Sequence, residues 1–447
     1  MKSSIDKLKK ITINMNKAQH YRQVKKTLPE KRYSDLALSL IRSTLLFCLG
    51  ALTLLQIWNA WQGLYSTGMD LQQDYIAAQR IRHGLDIYEP FTNEELVGLI
   101  GKEPNVLLSY NAHPPLVSVL FVPLTLFPFK WAALFWTVGC VVILWLTVNM
   151  ILTELKLKIE RFWRYLLQLS ILNWYPVLAH LNLGQLGIPL FFLSVAAWIC
   201  LRRGQETFAG FLLAFATLIK IYPVVLLFYA VIRYRLNILK SAVFSLFFLV
   251  IMQTVINSNS WPNYMLRIVP TAIAQYQDSW YNCSLSSASI RLFKGTEISY
   301  PLVNFPQAEF PVRFLLYAIT FASLALVFLH RRNIFDLTGE YCLLIVTMLL
   351  LSPLTWDHAF VFLLLPMGYL WQQVRFYNGG WTRWLVTALI SLAVALSIPH
   401  WRQLMGHVQT LYNMDKLPAL IGLFSPGVIT LICCFISISL TLWRLRS

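Results

Sequence analysis

The sequence has little charge for its length. Of its 447 residues, 13% are charged and 57% are hydrophobic, whereas a soluble domain carries about 25% charged residues. Apolar runs recur along the whole chain, and a run of about 20 residues is enough to cross a bilayer as a helix. The short alternating segments of a membrane β-barrel are not seen. The composition therefore predicts an all-α polytopic membrane protein.

Several chemical signatures are also missing. The seven cysteines are scattered, with neither disulfide-framework nor metal-ligand spacing, and most fall inside apolar runs. A glycine-rich phosphate loop is absent, and no segment repeats at a fixed period. We therefore expect no cofactor, with a divalent metal left open, and no nucleotide-binding module.

The net charge of +17 is distributed in a way that argues against a nucleic-acid partner. The basic residues lie mostly between apolar runs, where they indicate the cytoplasmic side. Ten of them precede residue 36. We therefore predict that residues 1–35 form a cytoplasmic basic arm near anionic lipid, and that 36–447 form one multi-span membrane domain.

The alternation of basic and apolar segments predicts about 11–13 transmembrane helices. Two stretches are irregular: 114–128 is short for a span, and 207–233 is broken by "KIYP" at 220–223 and is predicted to form a shallow hairpin. Residues 62–113 and 257–310 become outer loops. The remaining predicted crossings are 36–61, 131–153, 165–181, 186–201, 238–256, 311–329, 338–353, 359–372, 384–399 and 418–443.

In this topology, polar residues from widely separated loops fall on one side of the membrane. Ionisable groups at a membrane edge are costly and indicate function by default. The residues concerned are Asp70, Asp74, Tyr110, His113, Asn182, Gln185, Lys220, Asn282, Arg291, Asp357 and His358.

The first outer loop contains "MDLQQDYIAAQRIRHGLDIYEP", residues 69–90. Asp70 suits a helix N-cap, and the apolar spacing that follows predicts a short interfacial helix that Gly84 ends. Two interpretations stay open here: a capped helix with solvated charges, or a carboxylate that acts as a base.

The other polar positions also allow two interpretations each. Lys220 binds an anion such as phosphate or extends to the interface. His358 holds phosphate or moves a proton, and Asp357 caps a helix. The amides of Asn182 and Gln185 suit sugar hydroxyls. Asn282-Cys283-Ser284 fits a glycosylation pattern that is common by chance.

Six segments, taken in order, resemble glycosyltransferase family 87. They are the Asp70–Tyr88 stretch, "YNAHPP", "LNLGQLG", "LIKIYP", "NCSLSSASIRL" and "SPLTWDHAF", and together they cover most of 65–370. The resemblance implies the GT-C fold and transfer from a polyprenyl-phosphate sugar, as in mannosyltransferases and related arabinofuranosyltransferases.

The resemblance also implies roles for individual residues. Asp70 takes the position of the catalytic aspartate, and Lys220, His358 and Arg291 would bind the donor phosphate. The chain departs from the family pattern at Asp74, often a tyrosine, and at Ala359, often a histidine, so Asp74 is a second candidate base. Substrate-binding positions would be Tyr75, Tyr110, His113, Asn182, Gln185, Asn282 and Asp357.

The predicted activity is therefore an inverting hexosyltransferase in the cell inner membrane, acting on its extracytoplasmic face. The partners would be a polyprenyl-phosphate sugar, a glycan or glycolipid acceptor, and membrane lipid. Two alternatives remain: a flippase or transporter of lipid-linked oligosaccharide, and an enzyme like the O-antigen ligases and polymerases.

Overall fold

The structure is a computed structural model. It describes residues 35–64, 69–100, 110–258, 260–330, 336–375, 380–398, 401–412, 414–416, 418 and 425–444. The predicted basic arm, apart from Asp35, lies outside these residues.

The first half of the described chain is helical. Its helices are α1 (Asp35–Leu64), α2 (Met69–Arg82), α3 (Asn93–Ile100), α4 (Pro115–Phe121), α5 (Phe129–Glu154), α6 (Arg161–Leu172), α7 (Tyr175–Leu183), α8 (Gly187–Arg202), α9 (Glu206–Ile219), α10 (Phe228–Ile232) and α11 (Leu236–Ile256). Short 3₁₀ turns cover Val122–Leu126 and Tyr222–Leu227.

The second half has the same character. Its helices are α12 (Ser260–Asn263), α13 (Val269–Tyr276), α14 (Leu285–Phe293), α15 (Glu309–His330), α16 (Leu337–Leu351), α17 (Leu364–Val374), α18 (Trp381–Ser397), α19 (Trp401–Leu411) and α20 (Pro426–Arg444). A π-turn covers Tyr264–Ile268, and 3₁₀ turns cover Pro306–Ala308 and Asp357–Leu363.

The prediction of an all-α polytopic membrane protein is confirmed. Within the described residues, five helices are long and apolar enough to cross a bilayer, or six if the bent pair α7 and α8 counts as one span. This is fewer than the 11–13 predicted. The difference arises because several predicted crossings form short or interrupted helices, among them α9, α16 and the 3₁₀ turn that precedes α17.

The chain divides into two compact units. In the described part of the first, 35–55 with Ile159–Ser170, Arg42 donates to Glu160 at 3.2 Å. The second comprises Gln56–Lys158 and Ile171–Ser447 and contains every candidate functional residue. Its core forms where α9 packs against α8 and α11 and where α20 packs against α16 and α18.

Helix α2 follows the sequence prediction closely. It begins one residue before Asp70 and ends at Arg82, and Gly84 then adopts a positive φ of 66°. Arg80 fixes the loop beyond it, because the guanidinium donates to both carboxylate oxygens of Glu95 at 2.8 Å and to three backbone carbonyls. Bidentate pairing of this kind is strong and directional, so the end of α2 is held rigidly.

Two breaks in apolar segments place polar groups beside α2. The axes of α7 and α8 differ by 118° across the turn at Gly184. Helix α9 ends at Ile219, where Lys220 is extended before the 3₁₀ turn Tyr222–Leu227. The sequence predicted this second break from Lys220 and Pro223. Both breaks bring the ends of apolar helices to the N-terminus of α2.

Candidate active site

Asp70 and Lys220 are joined by one amide side chain. Gln185, in the turn between α7 and α8, donates from Nε2 to Asp70 Oδ2 at 2.6 Å. Its Oε1 accepts from Lys220 Nζ at 2.9 Å. Asp70 and Lys220 are both partly buried, so an anionic and a cationic group share one half-enclosed site.

The second oxygen of Asp70 is held from its own helix. Gln73 Nε2 donates to Asp70 Oδ1 at 3.1 Å, and Gln73 Oε1 accepts from the backbone N–H of Ala112 at 3.0 Å. The carboxylate therefore has one amide donor on each oxygen.

Asp74, the second candidate base, has a different environment. Its carboxylate is fully buried and Oδ1 lies 2.7 Å from His113 Nδ1. Burial raises the pKa of the Asp74 carboxyl, and this outweighs the lowering by the charge and hydrogen bond of His113. Because Asp74 is enclosed and Asp70 is partly open, Asp70 is the better placed of the two to meet a substrate.

Two further histidines lie beside Lys220. His358 is 4% exposed, and Lys220, His180 and His113 all act on it electrostatically. His180 is fully buried, and its Nε2 accepts from the backbone N–H of Ile188 at 2.7 Å. That bond assigns the proton of the neutral ring to Nδ1. The cation of Lys220 is thus surrounded by imidazoles rather than by acids on this side.

The close approach of the α7–α8 turn to α2 depends on Gly184. Its φ is 72°, and an added Cβ would lie 2.5 Å from Leu71 Cβ and 2.6 Å from Leu64 Cδ1. The turn can therefore bring Gln185 to Asp70 only because residue 184 has no side chain.

We expect Gly184→Ala to lower the free energy of unfolding by about 2–4 kcal/mol, from the left-handed backbone and the overlap with Leu71. Gly204→Ala is a matched control, since Gly204 has a φ of 73° with nothing within 4 Å of the added Cβ. Thermal unfolding of both variants in detergent measures the loss of stability of each. The loss in Gly184→Ala minus the loss in Gly204→Ala is the contribution of packing against α2. Equal losses would show that the contact with α2 is unimportant.

Partly exposed aromatic residues form a rim near Asp70. Tyr276, at the end of α13, lies within electrostatic range of Asp70 and makes an edge contact with Trp356 at 6.0 Å between ring centroids. Tyr110 donates to Gln275 Oε1 at 3.0 Å on the same helix. Asp357 accepts from Tyr175 Oη at 2.7 Å. The rim thus combines aromatic rings with a carboxylate.

Two predicted substrate-binding residues point elsewhere. Tyr75 donates to the carbonyl of Phe127 at 2.7 Å and so attaches α2 to the segment after α4. Asn182 is exposed, and its Oδ1 lies 3.5 Å from the position of a Cβ on Gly63. Among the described residues, neither has a hydrogen bond to Asp70, Gln185 or Lys220.

Asn282 and Arg291 hold loop backbone. Asn282 donates to the carbonyl of Pro353 at 2.8 Å and accepts from the N–H of Thr355 at 3.1 Å. Arg291 is fully buried and donates to the carbonyl of Asn282 at 2.9 Å and to Ser287 Oγ at 2.7 Å. Burial lowers the pKa of its guanidinium to about 10. In the described structure, Arg291 has no bond to the Asp70–Gln185–Lys220 group, and its buried Nε and Nη2 have no hydrogen-bond partner. Its contact with phosphate stays a prediction.

The sequence interpretation missed two residues of the site, Gln73 and His180. Gln73 follows Asp70 by three positions, and residues at that spacing share a helix face, so the helical prediction contained a usable signal. His180 lies in an apolar helix without a distinguishing pattern. Across the parts of the chain that the structure describes, no group of three His, Cys, Asp or Glu side chains could hold a metal ion.

Comparison with known families identifies the family of the chain. A sequence model of glycosyltransferase family 87 matches residues 111–353, more than half of the chain. The chain belongs to glycosyltransferase family 87. It is therefore a membrane glycosyltransferase, with a sugar donor and a glycan acceptor. No curated protein matches the chain.

The family match contains only part of the glycosyltransferase's candidate site. His113, Gln185 and Lys220 lie inside residues 111–353, whereas Asp70 and His358 lie outside. The hydrogen bond from Gln185 to Asp70 connects the two parts. The structure thus extends the site beyond the matched segment.

Proposed function

We propose that this glycosyltransferase transfers a sugar, mannose or a similar hexose, from a polyprenyl-phosphate donor to a glycan or glycolipid acceptor. The observation that carries the proposal is that Asp70 and Lys220 bind the nitrogen and the oxygen of one amide group, that of Gln185. A carboxylate and an ammonium held apart in this way match the two charges of the reaction, the proton that leaves the acceptor and the phosphate that leaves the sugar.

The reaction follows from these positions. The acceptor hydroxyl oxygen attacks the anomeric carbon, the bond from that carbon to the phosphate oxygen breaks, and the phosphate leaves with the electron pair. Asp70 takes the hydroxyl proton, a contribution typically of about 10²–10⁴-fold. Lys220 and an N–H of His358 stabilise the departing polyprenyl phosphate. A single displacement inverts the anomeric centre.

A lipid-linked donor fits the setting of the site. Gln185 and Lys220 lie at breaks between apolar helices, where a polyprenyl tail would remain in hydrocarbon while its phosphate reaches Lys220. The charge alternation of the loops supports placing this face outside the cytoplasm. The sequence also lacks the glycine-rich phosphate loop of many nucleotide-binding proteins.

The test is a transfer assay with the purified full chain in proteoliposomes. We expect radiolabelled mannose to pass from polyprenyl-phosphate mannose to a membrane glycolipid fraction, and no label to pass from GDP-mannose. Transfer only from GDP-mannose would contradict the lipid-donor assignment. Movement of labelled lipid between leaflets without a new glycosidic bond would instead favour the flippase alternative.

A further inference from the structure

Two amide side chains donate hydrogen bonds to the Asp70 carboxylate, and a second hydrogen bond fixes the orientation of each amide. We call the side chains of Gln73 and Gln185, with the Asp70 carboxylate between them, the amide clamp. An ammonium can only donate, so Lys220 requires Oε1 of Gln185 and turns Nε2 towards Asp70. The backbone N–H of Ala112 imposes the same choice on Gln73.

The two halves of the clamp differ in what fixes them. Gln73 depends on a backbone group, which no substrate displaces. Gln185 depends on the side chain of Lys220, which also faces His180 and His358. Within the described structure, the ammonium group of Lys220 donates to Gln185 alone, and an ammonium has three N–H donors. Lys220 can thus hold Gln185 and still donate to a phosphate.

We propose that Gln185 is a positioning residue that ties the orientation of the Asp70 base to the cation that takes the donor phosphate, Lys220. This inference rests on the proposed function. A direct ion pair between Asp70 and Lys220 would engage each charge with the other. The intervening amide transmits orientation while leaving lone pairs of Asp70 for the acceptor hydroxyl and N–H groups of Lys220 for the phosphate.

The clamp is open on the side of the substrates. Among the described residues, Asp74 on α2, Lys220 after α9 and Tyr276 on α13 lie within electrostatic range of Asp70. Gln73 is 3% exposed and Gln185 is 6% exposed, so water competes little for either amide. Loss of one amide would therefore leave Asp70 free to rotate rather than let solvent replace the bond.

The test is a pair of double-mutant cycles on kcat, measured at saturating polyprenyl-phosphate mannose with octyl α-mannoside as acceptor. Gln185→Met keeps the side-chain length but removes both hydrogen bonds. We expect it to lower kcat about 10- to 100-fold without changing the KM for the donor. In a Lys220→Met background, Gln185 is no longer oriented. The factor by which Gln185→Met lowers kcat should therefore be about 2 to 100 times smaller there than in the wild type.

Gln73→Met is the matched comparison. It removes the other amide of the clamp, but its effect on kcat should be the same in the wild-type and Lys220→Met backgrounds, since Gln73 does not depend on Lys220. Gln79→Met, a half-buried amide on the same helix, should retain wild-type kcat and thermal stability.

The inference is overturned if Gln185→Met retains wild-type kcat. It is also overturned if Gln185→Met lowers kcat by the same factor in the wild-type and Lys220→Met backgrounds, as we expect of Gln73→Met. These results require an active wild-type chain and leave the proposed function intact. A wild-type chain that transfers nothing from the lipid donor would instead overturn the proposed function, and the inference with it.

Discussion

Asp70→Asn is expected to lower kcat by about 10²–10⁴-fold, the range typical for loss of a general base. Asparagine keeps the shape of the side chain but cannot take a proton. It also presents an N–H₂ group towards Gln73 or Gln185, both of which donate to Asp70, so one of these bonds is lost as well. Initial rates of mannose transfer from the lipid donor measure the effect, with binding of polyprenyl phosphate expected to persist.

Asp278→Asn provides the control, because Asp278 is an exposed carboxylate two residues beyond α13 and should leave the rate unchanged. Asp74→Asn separates the two candidate bases. It breaks a buried pair with His113, so we expect mainly a loss of thermal stability. Wild-type turnover in Asp70→Asn, with inactivity confined to well-folded Asp74→Asn, would assign the base to Asp74.

Lys220→Met is expected to weaken binding of the lipid donor far more than binding of the acceptor. A hydrogen bond to a charged group contributes about 1.5–3 kcal/mol, which corresponds to about a 10- to 100-fold rise in the dissociation constant for polyprenyl phosphate. Methionine preserves the apolar stem, so packing at the end of α9 is retained. Titration of the chain in nanodiscs with polyprenyl phosphate measures the donor side, and KM for octyl α-mannoside measures the acceptor side.

Lys240→Met is the matched control, since Lys240 is exposed on α11 and should bind the lipid as the wild type does. Equal weakening of donor and acceptor in Lys220→Met would remove the phosphate role. A rise confined to the KM for octyl α-mannoside would also remove the phosphate role.

The convergence of Asp70, Gln185 and Lys220 followed from topology. Basic segments fixed the direction of each crossing, so loops far apart in sequence were assigned to one face, and the structure brings these three side chains together. The limits of α2 were predicted from Asp70 as N-cap and Gly84 as a stop. The structure corrects the N-cap assignment, because Asp70 lies inside the first turn of a helix that begins at Met69. Local rules sufficed for the stop because helix ends have characteristic residues.

Other assignments required tertiary knowledge. Tyr75 lies five positions after Asp70, about 140° around the helix at 100° per residue, so it faces Phe127 instead of the site. The resemblance assigned Arg291 to phosphate. In the structure, its Nη1 donates to loop carbonyls and to Ser287 Oγ, and the path of that loop is not visible in any sequence periodicity. Within the described residues, several predicted crossings form short or interrupted helices, because hydropathy does not distinguish an α-helix from 3₁₀ turns such as Asp357–Leu363.

The bonds of Asn282 have a consequence for the order of biosynthesis. Its amide reaches Pro353, which lies 71 residues later in the chain. At about 5–20 residues per second, a ribosome needs roughly 4 to 14 s to make that stretch. During this interval the nascent loop lacks the backbone to which Asn282 finally bonds, so this part of the enzyme takes its final structure only late in translation.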